Sequence, residues 1–205
     1  MLIAIEGIDG VGKTTIGKAL AKRIGFKFVD KALQKAFDIP IDQYVKLRES
    51  LKTYPIANNE LMAMFFGINN ILCGAIGIND DIIADRYITS SYYWYGNQSN
   101  EHIYDALIHS AGKPALTVLL DASTKIILSR INNRKYEDEN ERKRELSIVQ
   151  NQIFISKTTH FLERKMFDYI VVKNEKASVD EVVEIIVEQY EKRKSFNKEN
   201  LSKTL

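Results

Sequence analysis

The chain has 205 residues and a nearly balanced charge, with 29 lysine and arginine residues against 27 aspartate and glutamate residues. This length suits one domain with a single core, and the balance gives no reason to expect a nucleic-acid or membrane partner. The single cysteine, Cys73, excludes an internal disulfide, and the N-terminus is typical of a strand rather than a signal segment, so we expect a cytoplasmic protein.

Five short apolar segments predict strands covered on both faces, as in a parallel sheet. They occupy residues 2–6, 26–29, 81–86, 116–121 and 168–172. Helices are predicted between and after them at residues 14–24, 58–76 and 177–191. This alternation predicts an α/β fold that binds its ligands at the carboxyl ends of the strands. We expect one domain over residues 1–192 and a polar, solvated tail over residues 193–205.

The stretch GIDGVGKTT follows the first strand and opens the first helix. Its glycines and its Lys-Thr pair match the phosphate-loop pattern, in which backbone N–H groups and a helix N-terminus hold phosphate. Lys13 is expected to reach the β- and γ-phosphates of ATP, and the Thr14 hydroxyl to bind Mg²⁺. The predicted ATP-binding residues are Gly7, Asp9, Gly10, Val11, Gly12, Lys13, Thr14 and Thr15.

A second polar site follows the third strand. Asp85 ends that strand, where an acid that organises Mg²⁺ is expected, and Arg86 beside it can donate to two phosphate oxygens. An Asp-Arg pair at this position is also compatible with a plain surface ion pair, but the nearby phosphate loop favours the functional interpretation.

The motifs GIDGVGKTT, LMAMFFGINN, ADRYITSSYYWYG and VLLDASTKIILSRINNRK occur in this order over about residues 1–190. Together they resemble the thymidylate kinases of the P-loop nucleoside monophosphate kinase group. The resemblance implies a five-stranded parallel sheet flanked by helices, a short lid and a homodimer. It also implies transfer of the ATP γ-phosphate to a deoxynucleoside monophosphate, a small-molecule substrate for which thymidine monophosphate is the first guess.

The resemblance also implies roles for residues around the transferred phosphate. Asp9 matches an acidic loop residue that contacts the acceptor, and Ser90 belongs to the paired serines after Asp-Arg-Tyr. Val11 stands where some members carry an arginine, and in members without it the lid supplies the cationic charge. The lid candidate covers about residues 130–145, where Arg130 and Arg134 share one helical face. The predicted catalytic residues are Asp9, Lys13, Arg86, Arg130 and Arg134.

The predicted acceptor pocket departs from the family pattern. Phe66 matches the aromatic residue that stacks on the base, and Trp94 the aromatic residue beside the sugar, where a bulky ring favours deoxyribose. Asn70 replaces an arginine that donates to the base, and because an amide both donates and accepts, the recognition of the base is changed. Tyr95 replaces a smaller polar residue.

The acceptor phosphate site departs as well. The arginine expected after the second strand is missing, so Lys31 or Lys35 would have to bind the phosphate, and Asp30 stands where deoxynucleoside kinases carry a general base. A nucleoside acceptor is therefore the main alternative, and a non-catalytic ATP-binding regulatory module is another. The intact Asp85, Arg86 and lid arginines favour a kinase over a pure binder.

Overall fold

The computed structural model describes residues 1–54, 58–133 and 150–202. Within them, five parallel strands form one sheet in the order β2-β3-β1-β4-β5. The strands are β1 (Leu2–Glu6), β2 (Lys27–Val29), β3 (Ile82–Asp85), β4 (Leu116–Asp121) and β5 (Tyr169–Lys173). The predicted five-stranded parallel sheet is confirmed, with each strand within two residues of its predicted bounds.

Helices cover both faces of the sheet, and the described part of the chain contains nine of them. They are α1 (Lys13–Ile24), α2 (Ala32–Ala36), α3 (Ile41–Leu51), α4 (Asn58–Asn79), α5 (Ile88–Tyr95), α6 (Glu101–Ala111), α7 (Thr124–Asn132), α8 (Asn151–Arg164) and α9 (Val179–Ser202). A short 3₁₀ turn, Gln98–Asn100, joins α5 to α6. Helix α9 continues to Ser202, so the segment predicted as a solvated tail is helical over most of its length. Most of the predicted lid, including Arg134, lies outside the described residues.

The sheet is the centre of the hydrophobic core. Strand β1 is buried along its whole length, including the charged residue Glu6, because β3 and β4 pair with it on either side and helices cover both faces. Because β3 pairs in parallel with both β1 and β2, the carboxyl ends of these three strands meet at one edge of the sheet. The phosphate loop begins at this edge, directly after Glu6.

Helix α4 combines a packed face with an exposed apolar face. It packs against α5 and α6, and a Cβ atom on Gly74 would lie 2.2 Å from the backbone carbonyl oxygen of Ala111, so the crossing with α6 needs glycine. Four apolar side chains on α4 remain exposed: Met64, Ile68, Ile71 and Ile78. By length and composition, α4 is the one helix among the described residues that could cross a membrane, which is weak evidence on its own.

Candidate active site

The phosphate loop is held in shape from the side of β5. Gly12 has a φ of 104°, and a Cβ atom there would lie 2.5 Å from Nδ2 of Asn174, so only glycine fits without rearrangement. The same Nδ2 donates to the carbonyl oxygen of Val11 at 2.8 Å. Val11 is fully buried in the core and its carbonyl oxygen is already bonded, so this residue shapes the loop and does not line the cleft in front of it.

A cleft of about 140 Å³ opens in front of this loop. Six of the eight residues predicted to bind ATP line it, together with both residues of the Asp-Arg pair. The lining residues are Asp9, Gly10, Gly12, Lys13, Thr14, Thr15, Asp85 and Arg86. The two predicted sites, the loop after β1 and the pair after β3, therefore form a single polar cavity.

Lys13 is buried at the base of this cleft. Its Nζ donates to the carbonyl oxygen of Ile8 at 2.8 Å and lies 3.7 Å from Oδ1 of Asp9. Burial, followed by the charge of Arg86, lowers the pKa of Lys13 to about 8. A phosphate in the cleft would favour the charged form of this amine.

Thr14 and Asp85 are joined directly, since the Thr14 hydroxyl donates to Oδ2 of Asp85 at 2.5 Å. Both groups offer oxygen ligands, which Mg²⁺ prefers. No cluster of three or more acidic, histidine or cysteine side chains that could hold a metal occurs in residues 1–54, 58–133 and 150–202. The pair therefore suits an ion that takes its other ligands from water and nucleotide phosphates.

Arg86 is fixed by three hydrogen bonds in an unusual backbone conformation, with a φ of 72°. Nη1 donates to the Gly7 carbonyl oxygen at 3.0 Å and to Oγ of Ser90 at 3.1 Å, while Nη2 donates to Oδ1 of Asp9 at 2.5 Å. Burial disfavours the charge, but Asp9, Asp85 and Glu6 outweigh it and raise the pKa of Arg86 above its ordinary value. A permanent, rigidly held cation thus faces the phosphate loop.

Glu6 supports this arrangement and was missed in the sequence analysis. Its carboxylate accepts the backbone N–H of Tyr87 at 3.0 Å and a short hydrogen bond from the Ser90 hydroxyl. Burial raises the pKa of Glu6, and its hydrogen bonds with Ser90 and the charge of Arg86 oppose that rise. The signal for Glu6 in the sequence was a charged residue at the end of an otherwise apolar strand.

The predicted acceptor residues gather on α4 and α5. The rings of Phe66 and Tyr95 stack, with their centroids 5.5 Å apart and their planes at 15°. One helical turn from Phe66, Asn70 is 2% exposed, and its Nδ2 has no hydrogen-bond partner among the described residues. Trp94 packs edge-on against Tyr93 with centroids 4.7 Å apart. The substituted positions of the family pattern thus lie on the two helices that carry Phe66 and Ser90.

Arg130 lies elsewhere, on the far side of the phosphate loop. Its guanidinium donates to the carbonyl oxygens of Val11 at 3.0 Å and Asn174 at 2.8 Å. Burial lowers its pKa. In this structure Arg130 therefore supports the loop backbone and does not line the cleft.

The possible acceptor-phosphate residues lie after β2. Val29 pairs with Ala84, so Asp30 and Asp85 leave the sheet at the same edge. The carboxylate of Asp30 forms a short ion pair with Lys35. This cation, one of the two candidates for binding the acceptor phosphate, is thus held beside the candidate base.

Comparison with known proteins decides the family. The thymidylate kinase family model matches residues 5–186. A thymidylate kinase of Brachyspira hyodysenteriae is 31% identical over 200 residues, which cover 91% of this chain and 93% of that protein. The chain belongs to the thymidylate kinase family. A probable thymidylate kinase of Thermococcus onnurineus is 29% identical, covering 91% of this chain and 95% of that one.

Solved structures add support for the fold alone. A deoxyadenosine kinase from M. mycoides superposes with a TM-score of 0.62 at 18% identity, covering 94% of this chain and all of that one. The thymidylate kinase of Candida albicans gives a TM-score of 0.57 at 20% identity, covering 94% and 92%. Family membership confirms the expected enzyme class, an ATP-dependent nucleoside monophosphate kinase.

Proposed function

We propose that the acceptor of this kinase is a deoxynucleoside monophosphate, with thymidine monophosphate as the first candidate. The observation that carries the proposal is the position of helix α5. Near its start, Ser90 holds Arg86 against the phosphate loop, and at its end Tyr95 stacks on Phe66. A single helix therefore connects the cationic phosphate site to the aromatic cluster suited to a base.

In this proposal, phosphoryl transfer relies on positioning and charge. Lys13 contacts the β- and γ-phosphates, and Arg86 contacts the phosphate that is transferred, while Asp9 orients Arg86 and faces the acceptor. Arg130 donates to the loop backbone, and Arg130 and Arg134 remain predicted ligands of the transferred group.

The donor is ATP with Mg²⁺. Thr14 and Asp85 would hold the metal, because their oxygens already lie within hydrogen-bond distance of each other in the cleft. When bound, Mg²⁺ would neutralise charge that develops on the phosphates during transfer.

Recognition of the base falls to α4 and α5. Phe66 offers a ring for stacking, which contributes about 1–3 kcal/mol per base in nucleic-acid binders. Asn70 presents a buried N–H donor with no partner among the described residues, which suits a carbonyl oxygen of a pyrimidine. Trp94 lies beside the sugar and selects deoxyribose.

The test is ADP release from ATP and Mg²⁺ with a panel of deoxynucleoside and ribonucleoside monophosphates, free nucleosides and a blank without acceptor. We expect stimulation by a deoxynucleoside monophosphate that carries a base carbonyl for Asn70. Stimulation by free nucleosides alone would refute the proposal and identify Asp30 as the candidate base.

We also propose a homodimer formed through the exposed face of α4. Met64, Ile68, Ile71 and Ile78 are each at least 38% exposed and recur at the spacing of one apolar helical stripe. Ile68→Lys should convert the dimer to a monomer in light scattering. Ile185→Lys, at a similarly exposed position on α9, should leave the dimer intact and serves as its control.

We place the protein in the cytoplasm, where its free buried Cys73 thiol stays reduced.

A further inference from the structure

The last turn of helix α5 leaves two backbone carbonyl oxygens without a donor from the helix itself. The N–H of Asn97 would bond the Tyr93 carbonyl in a longer helix, but it donates to Oδ1 of Asn100 at 2.9 Å. The Tyr93 and Gly96 carbonyl oxygens then need other donors. Trp94 and Tyr95, two of the proposed acceptor contacts, lie between these two residues.

Lys157 supplies both missing donors from helix α8. Its Nζ lies 2.8 Å from the Tyr93 carbonyl oxygen and 2.8 Å from that of Gly96. The ammonium also sits over the rings of Tyr92 and Tyr93, at 5.4 and 5.7 Å from their centroids. A positive charge at the C-terminus of a helix is further favoured by the helix dipole.

Lys157 makes this contact in a partly buried position. Burial lowers its pKa, and the contacts of its ammonium among the described side chains and backbone are with carbonyl oxygens and aromatic rings, not with a carboxylate. A lysine kept in such a position without an acidic partner is unfavourable unless the two carbonyl bonds compensate. The two carbonyl bonds at the end of α5 are therefore what stabilises the ammonium in this position.

The rest of the α5–α8 interface does not depend on Lys157. Phe161 stacks on Tyr92 with centroids 4.0 Å apart, and Phe154 packs on Tyr93 at 4.8 Å. These aromatic contacts hold the middle of α5 against α8. Removal of the lysine should therefore loosen only the last turn, where Trp94 and Tyr95 lie.

We propose that Lys157 is a positioning residue for the acceptor site, which holds the last turn of α5 so that Tyr95 and Trp94 face the acceptor nucleotide. It touches neither substrate nor the reacting phosphate. The expected effect of Lys157 on the acceptor KM rests on the proposed function, whereas its effect on the last turn of α5 does not.

Trp94 makes the structural consequence measurable, because it is the single tryptophan of the chain. In Lys157→Met the emission of Trp94 should shift to longer wavelength and its quenching by acrylamide should increase. Lys165→Met is the matched control. Lys165 directly follows α8 and pairs with Glu101 and Asp105 instead, so its loss should leave Trp94 emission unchanged.

Kinetic measurements distinguish a positioning role at the acceptor site from a general loss of structure. Lys157→Met should raise the KM for the acceptor about tenfold, the effect of losing roughly one charged hydrogen bond, and leave the KM for ATP unchanged. Lys157→Arg, which keeps charge and two donors, should recover most of the acceptor KM. If Lys157→Met does not fold, Lys157→Gln replaces it with the same measurements.

The outcomes are distinct. Unchanged Trp94 emission and quenching in the variant would overturn the inference, and so would equal rises in both KM values. If the wild-type protein phosphorylates no deoxynucleoside monophosphate, the proposed function fails, yet the Trp94 measurements still decide whether Lys157 holds the end of α5.

Discussion

Replacement of Asn70 by leucine should make the protein more stable and less active. Asn70 is 2% exposed and its Nδ2 has no hydrogen-bond partner among the described residues. A buried donor without an acceptor costs about 1–3 kcal/mol. Leucine removes that penalty, and imperfect packing of its different shape returns up to about 1.5 kcal/mol.

The midpoints of these two ranges leave a net gain in the free energy of unfolding of about 1 kcal/mol, which corresponds to a rise in Tm of roughly 2–4 °C for a chain of this size. The same change leaves a carbonyl oxygen of the bound base without its donor. This should cost about 1–3 kcal/mol, or roughly 5- to 150-fold in kcat/KM for the acceptor.

Asn69→Leu is the matched control in the melting experiment. Oδ1 of Asn69 accepts the backbone N–H of Leu33 at 3.1 Å, so its replacement leaves that donor unsatisfied and should lower Tm. Opposite signs for the two neighbouring asparagines would support the account. An Asn70→Leu variant that melts earlier than the wild type and retains its acceptor kcat/KM would refute the reasoning.

Three further predictions concern the scaffold of the site. Gly12→Ala should lower the free energy of unfolding by about 2–4 kcal/mol in urea melts and abolish ATP binding, because of backbone strain and collision with Asn174. Gly25→Ala is the control, since open space surrounds Gly25, and it should lower the free energy of unfolding by only about 1 kcal/mol. Glu6→Ala deprives two donors of their acceptor and should destabilise the protein by about 2–5 kcal/mol in the same assay; a loss below about 1 kcal/mol would contradict its supporting role. Burial raises the pKa of the Cys73 thiol to about 12, so a thiol reagent at pH 8 should label it only after unfolding, and rapid labelling of the native protein would show that α4 is packed differently.

The strands and the phosphate loop could be predicted from sequence because their signals are local. Apolar runs mark β1 and β4, and the spacing of Gly7, Gly12 and Lys13 determines a loop that the structure places at the expected strand end. Family resemblance then added the aromatic and amide positions on α4 and α5.

The contacts that organise the site could not be predicted in the same way. Glu6 meets Ser90, and Lys157 meets the end of α5, only because the fold brings together residues more than 60 positions apart. The position of Arg130 also depends on the fold, since its nearest partners come from the loop after β1 and the residue after β5. Sequence spacing predicts that Arg130 belongs to the lid, and its contact with the transferred group stays a prediction; the structure adds its bonds to two backbone carbonyls.

The central claim is that the γ-phosphate of ATP is moved onto the phosphate of a deoxynucleoside monophosphate. The most direct measurement follows the label from ATP labelled at the γ-phosphate. Thymidine monophosphate is offered in the first reaction, thymidine in the second and each other deoxynucleoside monophosphate in further reactions, and the products are separated by chromatography. We predict labelled thymidine diphosphate from the first reaction and no labelled product from the second. Label recovered on thymidine alone, or on neither compound nor any other deoxynucleoside monophosphate, would contradict the account.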